Sequence, residues 1–327
     1  MPEMINLAII GAGYWGTKLI GEYHALSTKQ RDVKLCAIAD SSPQKLSELS
    51  RQWNFPSSML KKDYNEIIED PKIVAVHIAT PNETHYEIAR KAIDAGKHVL
   101  LEKPMSLRAS EALKLARFAE KTNSVLLIGH IFRFNNAVNK IKDMIEKGEI
   151  DETRYVELRW TTSMHPLPNR DIIFDLAPHP IDILNHLFEE WPTQVYVNAR
   201  SYERKEVGLE EVAFATLDFP GDIMALMVLS WVQHGPRQRT LNIVNKKNAL
   251  RVEAVQQNIE LYENGHAKEI PIKPNNTIES EINHFIGRIK NNDPPINSAL
   301  TGVMNVTVLD ALRKSLQTGN VTSTIGM

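Results

Sequence analysis

Cysteine is almost absent from this sequence, which contains a single one, Cys36. One cysteine excludes a disulfide framework within the chain. Cys36 alternates with Lys34 and Ile38 in a run that predicts a strand, so we interpret its side chain as a packing group rather than a nucleophile.

Long apolar runs are also missing. No segment approaches the roughly twenty apolar residues that span a membrane. The N-terminal residues lead straight into a predicted strand, without the pattern of a signal peptide. We therefore expect a cytoplasmic protein with no membrane partner.

An excess of charge of one sign is lacking as well. The formal net charge is −2, from 38 Lys and Arg against 40 Asp and Glu, and the absence of a basic footprint argues against nucleic acid as a partner. What is present is 43% hydrophobic residues in 327, enough for a large core and for two domains. We place these domains at residues 1–130 and 131–327.

The two parts differ in their predicted elements. The first alternates strands and helices, which indicates an α/β domain with a doubly wound parallel sheet, the Rossmann fold. The second has strand-like runs in succession, which indicates an α+β domain built on an open, mainly antiparallel sheet. We expect the C-terminal helix to pack back on the first domain. We also expect a homodimer or homotetramer through the open sheet, with Met227, Leu229 and Trp231 as interface candidates.

Residues 11–16 read Gly-Ala-Gly-Tyr-Trp-Gly and follow a short apolar run. In a dinucleotide-binding fingerprint Gly11 allows the tight turn, Gly13 lets the backbone approach the pyrophosphate, and Gly16 lets the helix pack on the strand. The phosphates then lie at the helix N-terminus. The motif alone also fits a glycine-rich turn without a ligand, so its context decides between the two interpretations.

The context is a second predicted strand, residues 33–39, that ends in Asp40. Its carboxylate can accept hydrogen bonds from ribose hydroxyls, which favours dinucleotide binding. The same charge repels a 2′-phosphate, so we expect NAD as the cofactor. Ser41, Ser42 and Lys45 follow closely enough to leave NADP open.

In doubly wound sheets ligands bind at the carboxyl ends of the strands. Polar or glycine residues follow the predicted strands at residues 11–16, 40, 80–82, 102–104 and 129–130. Among them Lys103 comes about ninety residues after the glycine fingerprint, at the end of an apolar run. We therefore predict that Lys103 lies beside a bound nicotinamide and takes part in the chemistry.

Asp175 and His179 are four residues apart, so on a helical turn both project from one face and can meet one ligand. A proline disfavours the α conformation in the residue before it, and we expect the regular helix to begin only near Pro180. At that helix N-terminus His179 stays neutral and able to accept a proton. Two alternatives remain: a capping Asp175 with an ordinary polar His179, or a metal pair, for which no third ligand is recognisable.

Four motifs resemble those of the glucose-fructose oxidoreductase / inositol dehydrogenase (Gfo/Idh/MocA) family. They are residues 11–16, residues 80–85 (Thr-Pro-Asn-Glu-Thr-His), residues 95–104 ending in Glu-Lys-Pro, and Asp175-x-x-x-His179. They occur in the family's order and spacing over essentially the whole chain.

The resemblance implies a Rossmann domain joined to an α/β domain that forms dimers and often tetramers. It implies that Lys103 contacts both the nicotinamide ribose and the substrate, while Asp175 and His179 hold the reacting hydroxyl. The proton acceptor is the His in some members and the Lys in others. With the residues that the resemblance places beside the cofactor, the predicted cofactor-binding set is Gly11, Gly13, Tyr14, Trp15, Gly16, Asp40, Thr80, Pro81, Asn82, His85, Glu102 and Lys103.

Departures from the common pattern point to a branch of the family. Many members have a glycine pair shortly before the Asp and an Asp after the His, whereas this chain has residues 170–174 and Pro180 there. These features are similar to a branch linked with nucleotide sugars, which oxidises C3 of a UDP-N-acetylhexosamine. The predicted substrate-binding residues are His130, Arg133, Asn135, Arg170, Arg237 and Arg239.

The three arginines of that set are candidates for a diphosphate, although arginines on a mixed-charge surface are also common without such a role. Two other functions stay open. One is a dehydrogenase of a free sugar or cyclitol, which needs no diphosphate site. The other is a non-catalytic, dinucleotide-sensing regulator, which the presence of Lys103, Asp175 and His179 disfavours.

Overall fold

The computed structural model describes residues 4–30, 32–150, 152–164 and 169–325. In these ranges no helix is long and apolar enough to cross a membrane. The strands are β1 (Ile5–Ile10), β2 (Val33–Ala39), β3 (Leu60–Lys61), β4 (Ala75–Ile78), β5 (His98–Leu101), β6 (Leu126–Ile128), β7 (Thr153–Thr161), β8 (Gln194–Arg200), β9 (Val212–Phe219), β10 (Ile223–Ser230), β11 (Gln238–Asn245), β12 (Asn248–Glu253), β13 (Asn258–Glu263), β14 (His266–Ile270) and β15 (Thr322–Ser323). The α-helices are α1 (Tyr14–Lys29), α2 (Pro43–Trp53), α3 (Asn65–Ile68), α4 (His85–Asp94), α5 (Ala109–Lys121), α6 (Asn136–Glu146), α7 (Ile172–Leu176), α8 (Pro178–Phe188), α9 (Thr277–Asn291) and α10 (Ala299–Thr318).

The chain divides into two compact units, and the first comprises Met1–His130 and Ile278–Val303. Its strands form one parallel sheet in the order β3-β2-β1-β4-β5-β6. The strand order reverses between β1 and β4, so the carboxyl ends of these two strands mark the topological switch point where ligands of such sheets bind. The predicted doubly wound Rossmann fold is confirmed.

The first sheet is buried on both faces, which is why its strands read as nearly continuous apolar runs. Leu19 and Tyr23 of α1 pack on β1 in the core of this unit, and Phe285 of α9 joins the same core. Residues 278–303, which our division at residue 130 assigns to the second domain, thus belong to the first unit.

The second unit comprises Ile131–Thr277 and Met304–Met327. Its strands form one sheet in the order β14-β13-β12-β11-β7-β10-β9-β8-β15. Neighbouring strands are antiparallel, apart from the parallel pair β7 and β10. The prediction of an α+β domain on an open, mainly antiparallel sheet is confirmed.

Side chains of the second sheet alternate between a buried face and an open one. Helix α7 contacts β9 and β10, and α6 contacts β12, so helices cover the buried face. Met227, Leu229 and Trp231 are fully buried, and the expectation that they form an oligomer interface is wrong. Large apolar side chains exposed on the open face include Tyr155, Tyr196, Phe214 and Met224.

Helix α8 begins at Pro178, earlier than the start near Pro180 that we expected. Ala177 adopts the αR conformation, with φ −65° and ψ −26°, although a proline follows it. Proline is well tolerated at the first helical position, because the N–H that it lacks has no intrahelical partner there. As a result α7 and α8 follow each other directly, with Asp175 near the end of α7 and His179 in the first turn of α8.

Candidate functional site

The glycine loop connects β1 to α1 at the switch point of the first sheet. Gly11 has φ +104°, and a Cβ atom there would lie 2.4 Å from the Ala79 carbonyl oxygen, just after β4. A Cβ atom on Gly16 would lie 2.1 Å from the Gly11 carbonyl oxygen. Packing therefore requires glycine at both positions, because any side chain would collide with backbone.

Gly13 is different, since packing does not explain it. Its φ is −67°, and a Cβ atom would meet nothing within 4 Å. Gly13 is also the N-cap of the sixteen-residue helix α1 and makes no side-chain capping bond. An open approach to backbone N–H groups at the positive end of a helix is what a pyrophosphate needs. The loop thus fits a dinucleotide.

Asp40 follows β2 and accepts a hydrogen bond from the glycine loop. Its Oδ2 accepts a hydrogen bond from the Ala12 N–H at 2.8 Å, and its Oδ1 accepts one from the Ser42 N–H at 2.9 Å. Each carboxylate oxygen keeps a second lone pair for a ribose hydroxyl. The Lys45 ammonium lies 3.9 Å from Oδ2, so a cation stands beside the carboxylate that would otherwise repel a 2′-phosphate.

Glu102 directly follows β5 and is buried, with 6% of its surface exposed. Its Oε1 accepts a hydrogen bond from the Trp15 indole N–H at 2.5 Å and lies 3.5 Å from His77 Nε2. The Tyr23 hydroxyl bonds to the other ring nitrogen of His77 at 3.1 Å. The Glu102 side chain therefore joins the loop that carries Lys103 to the glycine loop.

The environment of Glu102 favours the ionised form. Burial alone raises the pKa of this carboxyl, but His77, the Trp15 N–H and the Lys103 ammonium together hold that pKa below its usual value. Burial raises the pKa of Tyr23 well above its usual value, and the charges of Glu281 and Glu102 raise it further. Tyr23 thus stays a neutral donor or acceptor in this network.

His85, in the first turn of α4, connects two more strand ends. Its Nδ1 lies 2.8 Å from the Pro104 carbonyl oxygen and its Nε2 lies 2.9 Å from the Thr80 carbonyl oxygen. Both contacts are hydrogen bonds only when both ring nitrogens carry a proton, because a neutral imidazole has one N–H. The ring holds the segment after β4 against the segment after β5, on which Lys103 lies half-buried.

Several predicted cofactor residues surround these contacts. Asn82 is buried, and the Thr80 hydroxyl accepts a hydrogen bond from the Thr84 hydroxyl at 2.7 Å. Pro81 is exposed. Tyr14 is 77% exposed, with the Lys18 ammonium 4.4 Å from its ring centroid. The predicted cofactor residues thus meet at the carboxyl edge of the first sheet, and their roles stay predictions.

In the second unit, Asp175 is 8% exposed and pairs with Arg170, whose Nη1 lies 3.1 Å from Oδ1. Asp171, not Asp175, caps α7, because its Oδ1 accepts a hydrogen bond from the Phe174 N–H at 2.9 Å. His179 is half-buried, with its ring centroid 5.1 Å from that of Phe132. The N-cap of α7 is therefore Asp171, and Asp175 pairs with Arg170.

The other two predicted diphosphate ligands, Arg237 and Arg239, lie in different surroundings. Arg237 is exposed and precedes β11. Arg239 is buried in β11, with 5% of its surface exposed. With Arg170 engaged by Asp175, the three guanidinium groups do not form one exposed cluster.

The remaining predicted substrate residues have structural partners. The Arg133 Nε donates to Asp182 at 2.8 Å, and its Nη2 donates to the Asn185 side chain at 2.6 Å. Asn135 caps α6 by accepting from the Ala137 and Val138 N–H groups. His130, at the end of the first unit, is 1% exposed. Their proposed substrate contacts stay predictions.

Three side chains in these clusters escaped the sequence reasoning: His77, Phe132 and Trp160. His77 is a polar residue inside the fully buried strand β4, and that position is a signal that the sequence carries. Phe132 and Trp160 stack edge to face with ring centroids 5.3 Å apart. They carry no local signal, because their contacts form only in the folded chain.

Comparison with known proteins gives two matching family models. An oxidoreductase family with an NAD-binding Rossmann fold matches residues 5–130, and the GFO/IDH/MocA C-terminal domain matches residues 138–251. An uncharacterised oxidoreductase of Synechocystis sp. is 28% identical over 275 residues, which cover 75% of this chain and 71% of the relative. The myo-inositol 2-dehydrogenase of Thermotoga maritima is 25% identical over 333 residues, which cover 96% of each protein.

Among solved structures, the UDP-N-acetylglucosamine 3-dehydrogenase GnnA of Acidithiobacillus ferrooxidans resembles the chain with a TM-score of 0.82. The match covers 96% of this chain and 98% of that one, at 22% sequence identity. At this identity, the likeness supports the shared fold.

Proposed function

Because the chain belongs to the GFO/IDH/MocA family of NAD-binding oxidoreductases, we propose that it transfers hydride between NAD(P) and a secondary alcohol of a sugar. The proposed position of reaction is C3 of a UDP-N-acetylhexosamine. The motifs around Asp175 and His179, which resemble the nucleotide-sugar branch of the family, support this choice.

One observation carries the proposal. Asp175 and His179 lie at the junction of α7 and α8, where Arg170 engages the carboxylate and α8 presents its N-terminus to the histidine. The positive end of a helix dipole disfavours an imidazolium, and a neutral imidazole can take a proton. This is the property that a general base for alcohol oxidation needs.

The proposed roles follow from these environments. Bound NAD(P) supplies the ring carbon that accepts the hydride. His179 takes the proton of the reacting hydroxyl, and Asp175 orients the hydroxyl or the imidazole. Lys103 donates a hydrogen bond to the developing alkoxide, for which its ammonium is suited. His85 and Glu102 hold the strand-end segments on either side of Lys103 in place.

The test is thermal stability of the protein with NAD(H) or NADP(H), alone and then with UDP or UDP-N-acetylglucosamine. A ligand that binds only the folded state raises the melting temperature. We expect a rise with cofactor and a further rise with UDP and with the nucleotide sugar. A rise with cofactor but none with UDP would contradict the nucleotide-sugar substrate.

A free sugar or cyclitol is the second candidate, because the Thermotoga maritima relative that matches 96% of the chain is a myo-inositol 2-dehydrogenase. Its test uses the same cofactor-loaded protein with myo-inositol and glucose. A response to either of these, without a response to UDP, favours the free-sugar class.

A further inference from the structure

Arg239 lies in β11 on the face of the second sheet that the helices cover. It alternates along the strand with Thr240, and its neighbours on the buried face are Leu241 and Ile243. In the register of the sheet it stands opposite Trp160 of β7. Its guanidinium is 5.5 Å from the centre of the Trp160 ring. A full positive charge is thus held among apolar side chains.

The guanidinium is held by backbone carbonyl groups and forms no salt bridge with the described residues. Its Nη1 donates to the carbonyl oxygens of Thr161, at 3.0 Å, and Gln238, at 2.7 Å. In the part of the chain that the structure describes, no carboxylate lies within salt-bridge distance of Arg239. Nη1 anchors the group, and the other N–H groups of its planar fork remain available for an acceptor.

Burial is the main effect on the charge of Arg239. It lowers the pKa of the guanidinium to about 9, and Arg237 also lowers that pKa, while the charges of Asp175 and Glu253 raise it. The side chain therefore stays cationic at neutral pH. A buried charge without a partner is costly to the fold, whereas a bound anion offsets that cost.

Two aromatic rings, Trp160 and Phe132, connect Arg239 to His179 of the proposed catalytic pair. From Trp160, edge-to-face ring contacts lead to Phe132 and from Phe132 to His179, over centroid distances of 5.3 and 5.1 Å. Asp175 is near enough for its charge to act on Arg239. Because Arg170 neutralises Asp175, Arg239 leaves a net positive charge beside the pair.

We infer that Arg239 binds an anionic group of the substrate, so that the alcohol oxidised at His179 belongs to an acidic sugar derivative. This inference rests on the proposed function and narrows its substrate class. The planar fork of arginine matches a carboxylate or a phosphate, which present two acceptor oxygens. The anion is then either a carboxylate on the sugar ring or the diphosphate of a nucleotide sugar.

The experiment measures calorimetric binding to the NAD+-loaded protein. Three probes separate the sources of charge: D-glucuronate carries a ring carboxylate, UDP carries a diphosphate, and D-glucose is neutral. The variants are Arg239→Met, which removes the charge, and Arg239→Lys, which keeps it. Arg251→Met is the matched control, because Arg251 is an exposed arginine on the neighbouring strand β12.

We expect the Arg239→Met variant to bind one of the two anions about 10- to 100-fold more weakly, as for the loss of a charged hydrogen bond. Arg251→Met should bind it as the unmodified protein does, and Arg239→Lys should keep part of the affinity. The affinity for glucose should be equal in all four proteins. A loss of affinity for glucuronate identifies a ring carboxylate as the group that Arg239 binds. A loss of affinity for UDP identifies the diphosphate.

Two results would overturn the inference. If Arg239→Met and the unmodified protein bind both anions with equal affinity, Arg239 does not form an anion site. An equal loss for glucose and the anions means that Arg239 only holds β11 to β7. The melting temperature of each variant, compared with that of the unmodified protein, controls for folding.

Failure of the proposed function looks different. The unmodified protein would then reduce NAD+ with none of UDP-N-acetylglucosamine, glucose, myo-inositol and glucuronate, and the inference would fall with it. If a neutral sugar is oxidised equally by the unmodified protein and Arg239→Met, and neither anion binds more tightly, the inference alone fails.

Discussion

The two units build their sites in opposite ways. In the first unit the site residues follow strand ends in short motifs, and their polar groups bind other parts of the same unit: Asp40 holds the glycine loop, and Glu102 holds Trp15. In the second unit the cluster draws on residues far apart in the sequence, from Phe132 to Arg239. There, one buried cation has no acidic partner among the described residues.

This difference indicates separate tasks. A cofactor that is common to many reactions is served by a rigid loop whose shape the backbone determines, so binding costs little reorganisation. A substrate is selected by charge and shape, which require side chains brought together from several strands and helices. Changes in the first unit should therefore affect all substrates alike, and changes around Arg239 should discriminate between them.

The largest expected effect separates packing from cofactor binding within the glycine loop. Gly11→Ala places a Cβ atom 2.4 Å from the Ala79 carbonyl oxygen at φ +104°, so we expect a loss of about 3 kcal/mol or more in the free energy of unfolding. Gly13→Ala meets no atom within 4 Å, so it should cost only about 1 kcal/mol or less, because alanine is a poorer N-cap than glycine. It should weaken NAD+ binding about tenfold or more. Urea unfolding and calorimetry measure the two effects.

A Gly13→Ala protein that binds NAD+ normally would contradict the assignment of the pyrophosphate to this loop. Equal destabilisation by the two substitutions would contradict the separation of the two roles.

A smaller effect concerns pH and the second unit. Burial, followed by the charge of Arg133, lowers the pKa of His186 to about 4, against about 6.5 in the unfolded chain. Between these values the unfolded chain binds more protons, so the free energy of unfolding rises with pH across that window. We expect a loss on the order of 3 kcal/mol as pH falls from 7 to 4.

The matched variants for this prediction are His186→Gln, which can keep the hydrogen bond to Asn139, and His266→Gln, an exposed histidine. Urea unfolding as a function of pH should show a weaker dependence in the first variant only. The same pH dependence in all three proteins would refute the assignment to His186.

The smallest effect tests the link between the glycine loop and the Lys103 segment. Trp15→Phe keeps a ring but removes the N–H that Glu102 accepts, so we expect a loss of about 1–2 kcal/mol in stability and weaker NAD+ binding. The depressed pKa of Glu102 means that its contribution is present above the unfolded pKa and is lost as pH falls through the folded value. The difference between Trp15→Phe and the unmodified protein should therefore shrink in acid.

Trp53→Phe is the control for this prediction, because the Trp53 indole N–H is buried and has no hydrogen-bond partner in the described structure. Equal destabilisation by the two Trp→Phe changes would show that ring packing, not the bond to Glu102, matters at Trp15.

Much of the fold was predictable because its signals are local. Apolar runs, the spacing of Gly11, Gly13 and Gly16, and the succession of strands after residue 150 predict both sheets, and the family models match where the motifs lie. The predicted start of α8 was wrong. A residue before proline is biased away from the α conformation, but Ala177 adopts it and continues the turn from α7. The prediction that Met227 lies on the exposed face of the second sheet was wrong. The alternation of residues along a strand does not show which face the helices cover.

The candidate site shows the same limit. Lys103, Asp175 and His179 stand out in the sequence by motif, whereas the surroundings of Arg239 do not, since Thr161, Trp160 and Phe132 meet it only through strand pairing and helix packing. From the sequence, Arg239, Arg170 and Arg237 were grouped only as three arginines that could bind a diphosphate. Their different burial and partners are properties of the folded chain.

The most direct test of the central claim is the initial rate of nicotinamide reduction with UDP-N-acetylglucosamine and with myo-inositol, in the unmodified protein, His179→Asn and His266→Asn. We expect NAD+ or NADP+ to be reduced with at least one of them. The rate should fall about 10²- to 10⁴-fold in His179→Asn and stay unchanged in His266→Asn, whose histidine is exposed. A rate in His179→Asn equal to that of the unmodified protein would show that His179 is not the proton acceptor.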